Sequence, residues 1–529
     1  MNYTIKNDCI VCDSCRPKCP TGAIKPNIAE DGYWIDPTLC DGCRDLAMPR
    51  CVEICDVDAL APLPPKKGRC KSTLLPAAVP EIFLNGKTNP FASSMVIWET
   101  SNILAQRQAL PWLANGQGQY HYHRPVHRGR GDMTFQLAAD PEAEVPATMA
   151  ANTAAETMPT FDIRAACVHL IFAAYAVSAD CPWQESFVIT DQHLDYYLGL
   201  DKRKDLTKLD KLTLIKDLVY QTCQILVAIN WPRQGRVQGF TLNQHPVWHL
   251  LHTQYYFEED SQGYRHLIGL SFTIRAGIWA KHFLNKQDYR GQTAFYQYGN
   301  LPRSLLTEVM SNWQQHEGAM RLLLWLLFKL RLGGEHRMTV RTLLRIAYGE
   351  ERVVEAMTIR GAHKRLLKTF ESDLEVIYYY GLKPLFDPET YPPDIQPLWA
   401  RVADIPDDAD AALEFWTDDA NRDLKLTDTA PRDKWQRLLN ARLLGFDLSE
   451  EWQQTVRRPT RKRRRPSSHA PAQALCGSDI KAARQRQQLS QRTLADRLGK
   501  SQSWVRDIER ERFTINADDQ ARLRQALDL

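Results

Sequence analysis

No stretch of this chain stays apolar for long. The longest run, Leu322–Leu332, already contains Lys329 and Arg331, and it falls well short of the ~20 residues that a membrane-spanning helix needs. No apolar segment precedes the first cysteine, at position 9, so no secretory leader is expected. The expected location is the cytoplasm, with no membrane partner. Common catalytic signatures are missing too. The chain has no GxxxxGK[ST] phosphate loop, no GxGxxG dinucleotide fingerprint, no GxSxG elbow and no HExxH zinc pair. It is therefore not expected to be an enzyme, and the missing phosphate loop argues against a regulator driven by ATP hydrolysis. Nor is there a charge excess: the net formal charge is +4, too little to imply a partner.

What is present is unevenly spread. The 529 residues, 44% hydrophobic and 25% charged, suit a globular chain of several domains at ~150 residues each. Residues 1–60 hold six Lys/Arg against ten Asp/Glu, whereas residues 451–529 hold eighteen against nine. The basic end has the electrostatic footprint of a DNA-binding module.

Eight cysteines crowd the acidic end, as Cys9-x2-Cys12-x2-Cys15-x3-Cys19-Pro20 and Cys40-x2-Cys43-x7-Cys51-x3-Cys55. In a reducing compartment such clusters are metal ligands rather than disulfides, and soft thiolates suit iron. In the bacterial C-x2-C-x2-C-x3-C-P run, the fourth thiolate ligates a different cubane from the first three. That assigns Cys9, Cys12, Cys15 and Cys55 to one [4Fe–4S] cluster and Cys19, Cys40, Cys43 and Cys51 to a second. A pair of zinc sites is the alternative, but zinc rarely uses this spacing. The halves repeat, Cys19-Pro-Thr-Gly-Ala-Ile matching Cys55-Asp-Val-Asp-Ala-Leu, and the segment resembles bacterial two-cluster ferredoxins. It departs from them at Asp56, where proline is usual, and in the insertion Arg44–Arg50; both could leave the second cluster less protected. Of the remaining cysteines, Cys167 and Cys223 lie in apolar helical stretches and are expected to be buried packing residues. Cys70, Cys181 and Cys476 show no ligand spacing.

Residues 478–529 read as a small helical bundle. Its helices are Ile480–Gln487, Gln491–Leu498 capped by Ser490, and Gln502–Arg510 capped by Ser501, with Gly499 at the turn. The string LSQRTLADRLGKSQSWVRDIERER is similar to the lambda-repressor-like (Cro/XRE) helix-turn-helix family. The resemblance implies that the third helix enters the major groove of double-stranded DNA, with Gln502, Ser503 and Arg506 or Asp507 at base edges. Gln491 would meet a phosphate, and Ser501 sits at the start of the reading helix. Trp504 would either touch the DNA backbone or pack on the bundle. Upstream, Arg461-Lys462-Arg463-Arg464-Arg465 lies in a Pro/Ser/Ala-rich stretch and reads as a disordered basic tether that follows phosphates or serves only as a linker.

The middle is less explicit. Residues 63–160 read as a connector with flexible segments. His121, His123 and His127 within it fit a mobile basic loop better than a metal site. From residue 162, helices Arg164–Ser178, Thr190–Leu198 and Leu209–Asn230 precede strand-like Val237–Leu242 and His266–Ile274. A second round follows: helices Ala319–Leu332, Thr339–Ala347 and Ala362–Asp373, then Leu374–Tyr380 and a turn at Gly381. Three helices with a trailing ribbon suggest winged-helix-like domains over 161–300 and 301–450, a tandem order that resembles plasmid replication initiators. The leucines Leu322, Leu323, Leu326, Leu327 and Leu330 should form core. The expected architecture is mainly α with α+β parts: a ferredoxin-like 2[4Fe–4S] domain at 1–62, the connector, two winged-helix-like domains, a basic linker at 451–477 and a lambda-repressor-like bundle at 478–529.

Taken together, the two ends resemble the cyanobacterial nitrogen-fixation regulators of the PatB/CnfR type. The resemblance implies an activator of nitrogenase genes at low oxygen, gated by oxygen-labile clusters. It would act as a homodimer on two half-sites, with RNA polymerase or a redox partner as a further contact. The alternatives are a ferredoxin-type electron carrier tethered to DNA, or a replication-initiator-like DNA-binding protein.

Overall fold

A computed structural model describes residues 2–527, apart from residues 7, 28–31, 64–80, 84, 115–117, 261–263, 292–293, 331–336, 403–404, 407, 422–430, 457–475, 513–514 and 516. The chain divides into two compact units, Met1–Arg458 and Pro459–Leu529. The basic block Arg461–Arg465 and Cys70 lie outside the described residues.

At the cysteine-rich end, β1 (Tyr3–Ile5), β2 (Ile24–Asn27), β3 (Gly32–Ile35) and β4 (Leu60–Pro62) form two antiparallel ribbons, β1 with β4 and β2 with β3. The repeat seen in the sequence is also a repeat of backbone. Gly22 and Asp58, each three residues after its cysteine, take φ of 61° and 49°. Each donates its N–H to that cysteine's carbonyl, at 3.2 and 3.5 Å. Aspartate is among the few side chains that tolerate the left-handed region, so it can stand where the first half uses glycine. The core is small, formed by Ala23, Ile24, Ile35, Cys51 and Leu60, with Cys15, Cys19, Cys40 and Cys55 packed on it. So few apolar residues need an added staple.

Further along, β5 (Thr88–Ala92) leads into α1 (Met95–Gln106), followed by β6 (Trp112–Ala114), β7 (Tyr120–Val126) and β8 (Gly131–Leu137). The stretch expected to be a connector therefore contributes a core helix. Its periodicity is hidden because Glu99, Thr100, Ser101 and Asn102 are buried beside Val96, Ile97, Ile103 and Leu104. His121 and His123 stand in β7, not in a loop.

Next come α2 (Ala165–Ser178), β9 (Ser186–Thr190), α3 (Asp191–Tyr197) and α4 (Lys208–Cys223). Helix α2 is apolar on every side and almost entirely buried, Cys167 included, as such a helix must be. Thr190 and Thr207 each cap the following helix reciprocally with the third residue in, His193 and Asp210. The helix expected over Leu209–Asn230 stops at Cys223. Residues Ile225–Trp231 form β10, β-branched and paired with β8. After β11 (Phe240–Pro246) come β12 (Trp248–Glu259) and β13 (Arg265–Ala276). One sheet has the order β11-β10-β8-β7-β6 and another β12-β13-β9. Strand β14 (Tyr298–Pro302) pairs with β5.

A second succession repeats the pattern: α5 (Glu317–Lys329), β15 (Met338–Thr339), α6 (Val340–Tyr348), α7 (Glu350–Thr358), α8 (Ala362–Tyr379), β16 (Leu382–Phe386) and β17 (Arg442–Leu448). Its sheet order is β15-β17-β16. In both successions the last strand of the hairpin lies between its partner and the early strand. Helix α8 runs through the stretch expected to be extended, because Phe370, Leu374 and Ile377 share one buried face at helical spacing. Leu322, Leu323, Leu326, Leu327 and Leu330 are all buried. Among the described residues no single helix is long and apolar enough to cross a membrane.

One buried histidine ties these layers together. Trp248 Nε1 on β12 donates to His169 Nδ1 at 2.8 Å, so Nε2 carries the proton and donates to the Ile97 carbonyl of α1 at 2.9 Å. Burial lowers the His169 pKa to about 4, opposed by the Ile97 bond. Below pH 6.5 the unfolded chain takes up a proton that the folded chain refuses, so stability falls with pH until about 4. The linkage amounts to roughly 3 kcal/mol. We expect the stability difference between the protein and His169→Gln, followed by chemical denaturation, to shrink by about that amount between pH 7 and 4. A pH-independent difference would mean that His169 is not held neutral.

Candidate cluster centre and nucleic-acid interface

The first cysteine loop is wound by alternating left-handed residues, Val11 at φ 57° and Asp13 at φ 59°. A β-branched residue there is a real outlier, costing about 1–3 kcal/mol. Asp13 closes the turn on Arg16, accepting from Nε at 2.7 Å and Nη2 at 2.6 Å. The result turns Cys9, Cys12 and Cys15 toward Cys55 around one cavity, lined mostly by apolar groups such as Ile5, Ile10, Ile54 and Leu60, with Asp13, Ser14 and Tyr33 also at its wall. Burial pushes the Cys15 thiol up; its own backbone hydrogen bond opposes this, and Cys9, Cys12 and Cys55 add to it. In the other set, Cys51 is pushed up to about 11 by burial, with Cys40, Cys43 and Cys19 adding to the shift. Cys43 sits at φ 50°, after Gly42 at 68°, and its N–H donates to Asp41 Oδ1 at 2.8 Å.

The structure thus places Cys9, Cys12, Cys15 and Cys55 around one cavity, and Cys19, Cys40 and Cys43 near enough to Cys51 to act on its thiol. Among the described residues no three His, Cys, Asp or Glu side chains are grouped to hold a single metal ion. A four-iron core is larger than an ion and needs its thiolates farther apart. Four thiols facing one largely apolar cavity fit an iron–sulfur core, whose positive charge stabilises the thiolate form.

Between this centre and the central region lies a contact that sequence reasoning missed. Asp36 is completely buried and pairs with Lys216 of α4, itself 5% exposed. Asp36 Oδ1 accepts from the Thr38 N–H at 2.9 Å and from its hydroxyl at 2.6 Å. Tyr255 of β12 donates to Oδ2 at 3.4 Å, and Lys216 reaches Thr38 Oγ1 at 3.0 Å. Trp34 packs on Tyr255 and Phe257, with ring centroids 4.6 and 5.2 Å apart. The Asp36 carbonyl accepts the Cys40 N–H at 3.0 Å. One turn of chain therefore joins a cluster thiol to a buried ion pair. The signal was present: Lys216 occupies an apolar slot among Leu212, Ile215 and Val219.

The second unit comprises α9 (Gly477–Arg486), α10 (Gln491–Leu498), α11 (Gln502–Glu509) and α12 (Ala517–Leu527). Ser490 Oγ accepts from the Thr493 N–H at 3.1 Å, and Ser501 Oγ from the Trp504 N–H at 3.2 Å. Gly499 closes α10 at φ 63°. Leu494, Leu498, Val505 and Ile508 form the core with Ile480 and Leu523. On α11, Gln502, Ser503 and Arg506 are exposed. Asp507 is half-buried, near Arg512 at 3.3 Å and Arg506 at 3.5 Å. Trp504 packs against the core, with Lys500 Nζ 5.1 Å from its ring centroid. Gln491 donates to Glu509 Oε2 at 2.7 Å. Glu509 also holds Arg484, whose Nε donates at 2.6 Å, an internal brace that the sequence did not suggest. Helix α9 starts at Gly477 rather than at Ile480. Gly477 lets it lie against α11: a Cβ there would come within 2.6 Å of the Ile508 carbonyl oxygen.

Comparisons with known proteins bear on both ends. The amino-terminal region is similar to the "Ferredoxin-like protein in vnf region" of Azotobacter chroococcum, 46% identical over 52 residues, 10% of this chain and 75% of that one. It is also similar to Ferredoxin-3 of Chlorobaculum tepidum, 34% identical over 61 residues, 11% of this chain and 95% of that one. In its amino-terminal segment the chain belongs to the ferredoxins. A "Ferredoxin-like protein in nif region" of Trichormus variabilis is 50% identical over 58 residues, 10% of this chain; the match spans 48% of that relative's length, about half. A helix-turn-helix family model matches residues 480–529. Domains 2 and 3 of RctB align with 53% of this chain and 86% of that one at 12% identity, but with a TM-score of 0.28 the likeness carries no weight. A ferredoxin segment implies iron–sulfur clusters, and the helix-turn-helix segment supports binding to double-stranded DNA.

Removing one partner of a buried pair strands the other, at about 3–5 kcal/mol. Asp36→Ala should therefore destabilise the first unit by that amount, and Asp36→Ala with Lys216→Met should recover most of it. Denaturation monitored by tryptophan fluorescence measures both; an Asp36→Ala variant as stable as the parent would remove this pair from the account.

Proposed function

We propose that the chain is an iron–sulfur-dependent, oxygen-responsive transcriptional regulator of the PatB/CnfR type, which activates nitrogen-fixation genes when oxygen is low. One observation carries the reading. A cavity faced by Cys9, Cys12, Cys15 and Cys55 is joined in one chain to a helix-turn-helix whose reading helix leaves Gln502, Ser503 and Arg506 open. The relatives' names, which refer to nif and vnf regions, favour nitrogen fixation as its setting.

In this reading Cys9, Cys12, Cys15 and Cys55 hold one [4Fe–4S] cluster, and Cys19, Cys40, Cys43 and Cys51 the other. When bound, the clusters supply one-electron redox chemistry and lability toward oxygen. The chain does the rest. Its thiols complete a core too small to stand without them, so their engagement and the folding of this segment are coupled. Cys40, bonded through its N–H to the Asp36 carbonyl, keeps that residue's carboxylate against Lys216. When the thiols are disengaged the turn loosens, and α4 loses its buried partner. At the other end, Gln502, Ser503, Arg506 and Asp507 meet base edges, Gln491 and Ser501 lie at the phosphate side, and Arg461–Arg465 neutralise backbone charge. The protein works in the cytoplasm as a homodimer on two half-sites, with RNA polymerase as the partner that activation requires.

The test is DNA binding by anaerobically purified protein, titrated with air while cluster absorbance is followed on the same sample. Affinity for a nitrogenase-type promoter should fall in step with the absorbance; constant affinity during bleaching would reject gating through DNA occupancy. Cys12→Ser should abolish promoter activation while leaving protein levels intact, and full activation by that variant would sink the sensor. Gln502→Ala should relax base choice at one position, by about 1–3 kcal/mol, measured by competition among operator variants; an unchanged preference would move the reading residue elsewhere.

A further inference from the structure

The two successions differ in what covers the last helix before the hairpin, α4 in the first and α8 in the second. In the first, Lys216 of α4 is buried against Asp36. In the second, the outer face of α8 is open. Leu366, Phe370, Leu374 and Ile377 point into the core, whereas Lys364, Arg365, Lys368 and Thr369 on its first two turns are exposed, as is Arg360 just before it.

Two of the three acidic groups of the same helix are engaged elsewhere, and the third, Glu375, lies half-buried in its second half, beyond the basic turns. Glu371 pairs with Lys434 at 2.6 Å. Asp373 is buried, accepting from the Tyr348 hydroxyl at 2.5 Å, with His316 at 3.1 Å. Among the described residues, Arg360, Lys364, Arg365 and Lys368 form no ion pair. The adjoining hairpin adds exposed Arg442 on β17, whereas Lys383 on β16 stands opposite Asp447 in the register. On the neighbouring α7, Glu351 and Glu355 are exposed as well, and Arg341 of α6 is held by Glu350 at 3.3 Å. The positive field therefore belongs to α8 and not to the whole surface.

We propose that α8 and its hairpin form a second binding site for double-stranded DNA, separate from the helix-turn-helix and directed at phosphates rather than bases. A helix fits the major groove, and lysine binds phosphate as a point charge. Among the exposed residues on the first two turns of α8 only Arg365 has the fork geometry that reads a base edge, and no Asn or Gln accompanies it there. Such a site adds affinity and extends the footprint on the duplex, and leaves the choice of sequence to α11.

The experiment compares cluster-loaded full-length protein with the variant Lys364→Ala, Arg365→Ala, Lys368→Ala on an operator fragment and on an unrelated duplex over a salt series. Affinity for both should fall by the same factor. The slope of log affinity against log salt should become shallower by about 0.9 for each phosphate that is no longer neutralised, thus by roughly two to three. Gln502→Ala with Arg506→Ala should do the opposite, abolishing preference for the operator while retaining salt-dependent binding to either duplex. An unchanged slope in the triple variant, or a weakening confined to the operator, overturns the proposal. Lys364→Arg with Lys368→Arg keeps the charge and should bind as the parent does; if it too binds more weakly, the effect is not electrostatic and the site is refuted.

Discussion

A carboxylate and an ammonium group, both removed from water, hold the cysteine-rich region against the rest of the first unit. Asp36 and Lys216 are satisfied by one another, with Thr38 meeting the second carboxylate oxygen and Tyr255 the one that Lys216 holds. Such a pair adds little net stability compared with well-packed apolar groups. What it does is specify. It rejects any docking of the ferredoxin segment that leaves either charge unmatched, and the Trp34 contacts alone would not reject a slide along β12. Among the described residues, this junction joins the turn that carries Cys40 to the central region.

The same economy of space governs the ferredoxin segment itself. Its core has five buried apolar residues, one of them Cys51, and the loop that carries Cys9, Cys12 and Cys15 holds Val11 in a region valine avoids. A segment like this does not fold first and bind metal afterwards. Ligation and packing happen together, which makes its structure a function of what its sulfurs are bonded to. The contrast with Cys167 and Cys223 is instructive: both are fully enclosed in helices, burial pushes both thiols far up, and no other thiol contributes to either shift.

Both ends were legible because their constraints are local. Cysteine spacing fixes which sulfurs can share a core, and Ser490, Gly499 and Ser501 punctuate the helices so closely that α10 begins and ends where the sequence says. The middle was harder for a physical reason. Continuous apolar runs do not distinguish strand from helix, so the join at Cys223 and the extension of α8 past Asp373 were both misread. Helix α1 was missed because its buried face carries Glu99, Thr100, Ser101 and Asn102. Of these, Glu99 meets Tyr122 and Arg124, which come from a strand that the sequence does not announce. Lys216 was the subtlest: a charged residue in a core slot reads as an irregularity until the matching aspartate, 180 residues earlier, is found.

Only Gln224 lies between the end of α4 at Cys223 and the start of β10 at Ile225. A single residue offers two soft torsions, too few to uncouple a sixteen-residue helix from the strand it feeds. Strand β10 is also central, bonded to β8 on one side and β11 on the other. Helix and sheet therefore behave as a lever and its plate. A shift of α4 at Lys216 has little slack at the join and bears directly on β10, in the middle of its sheet.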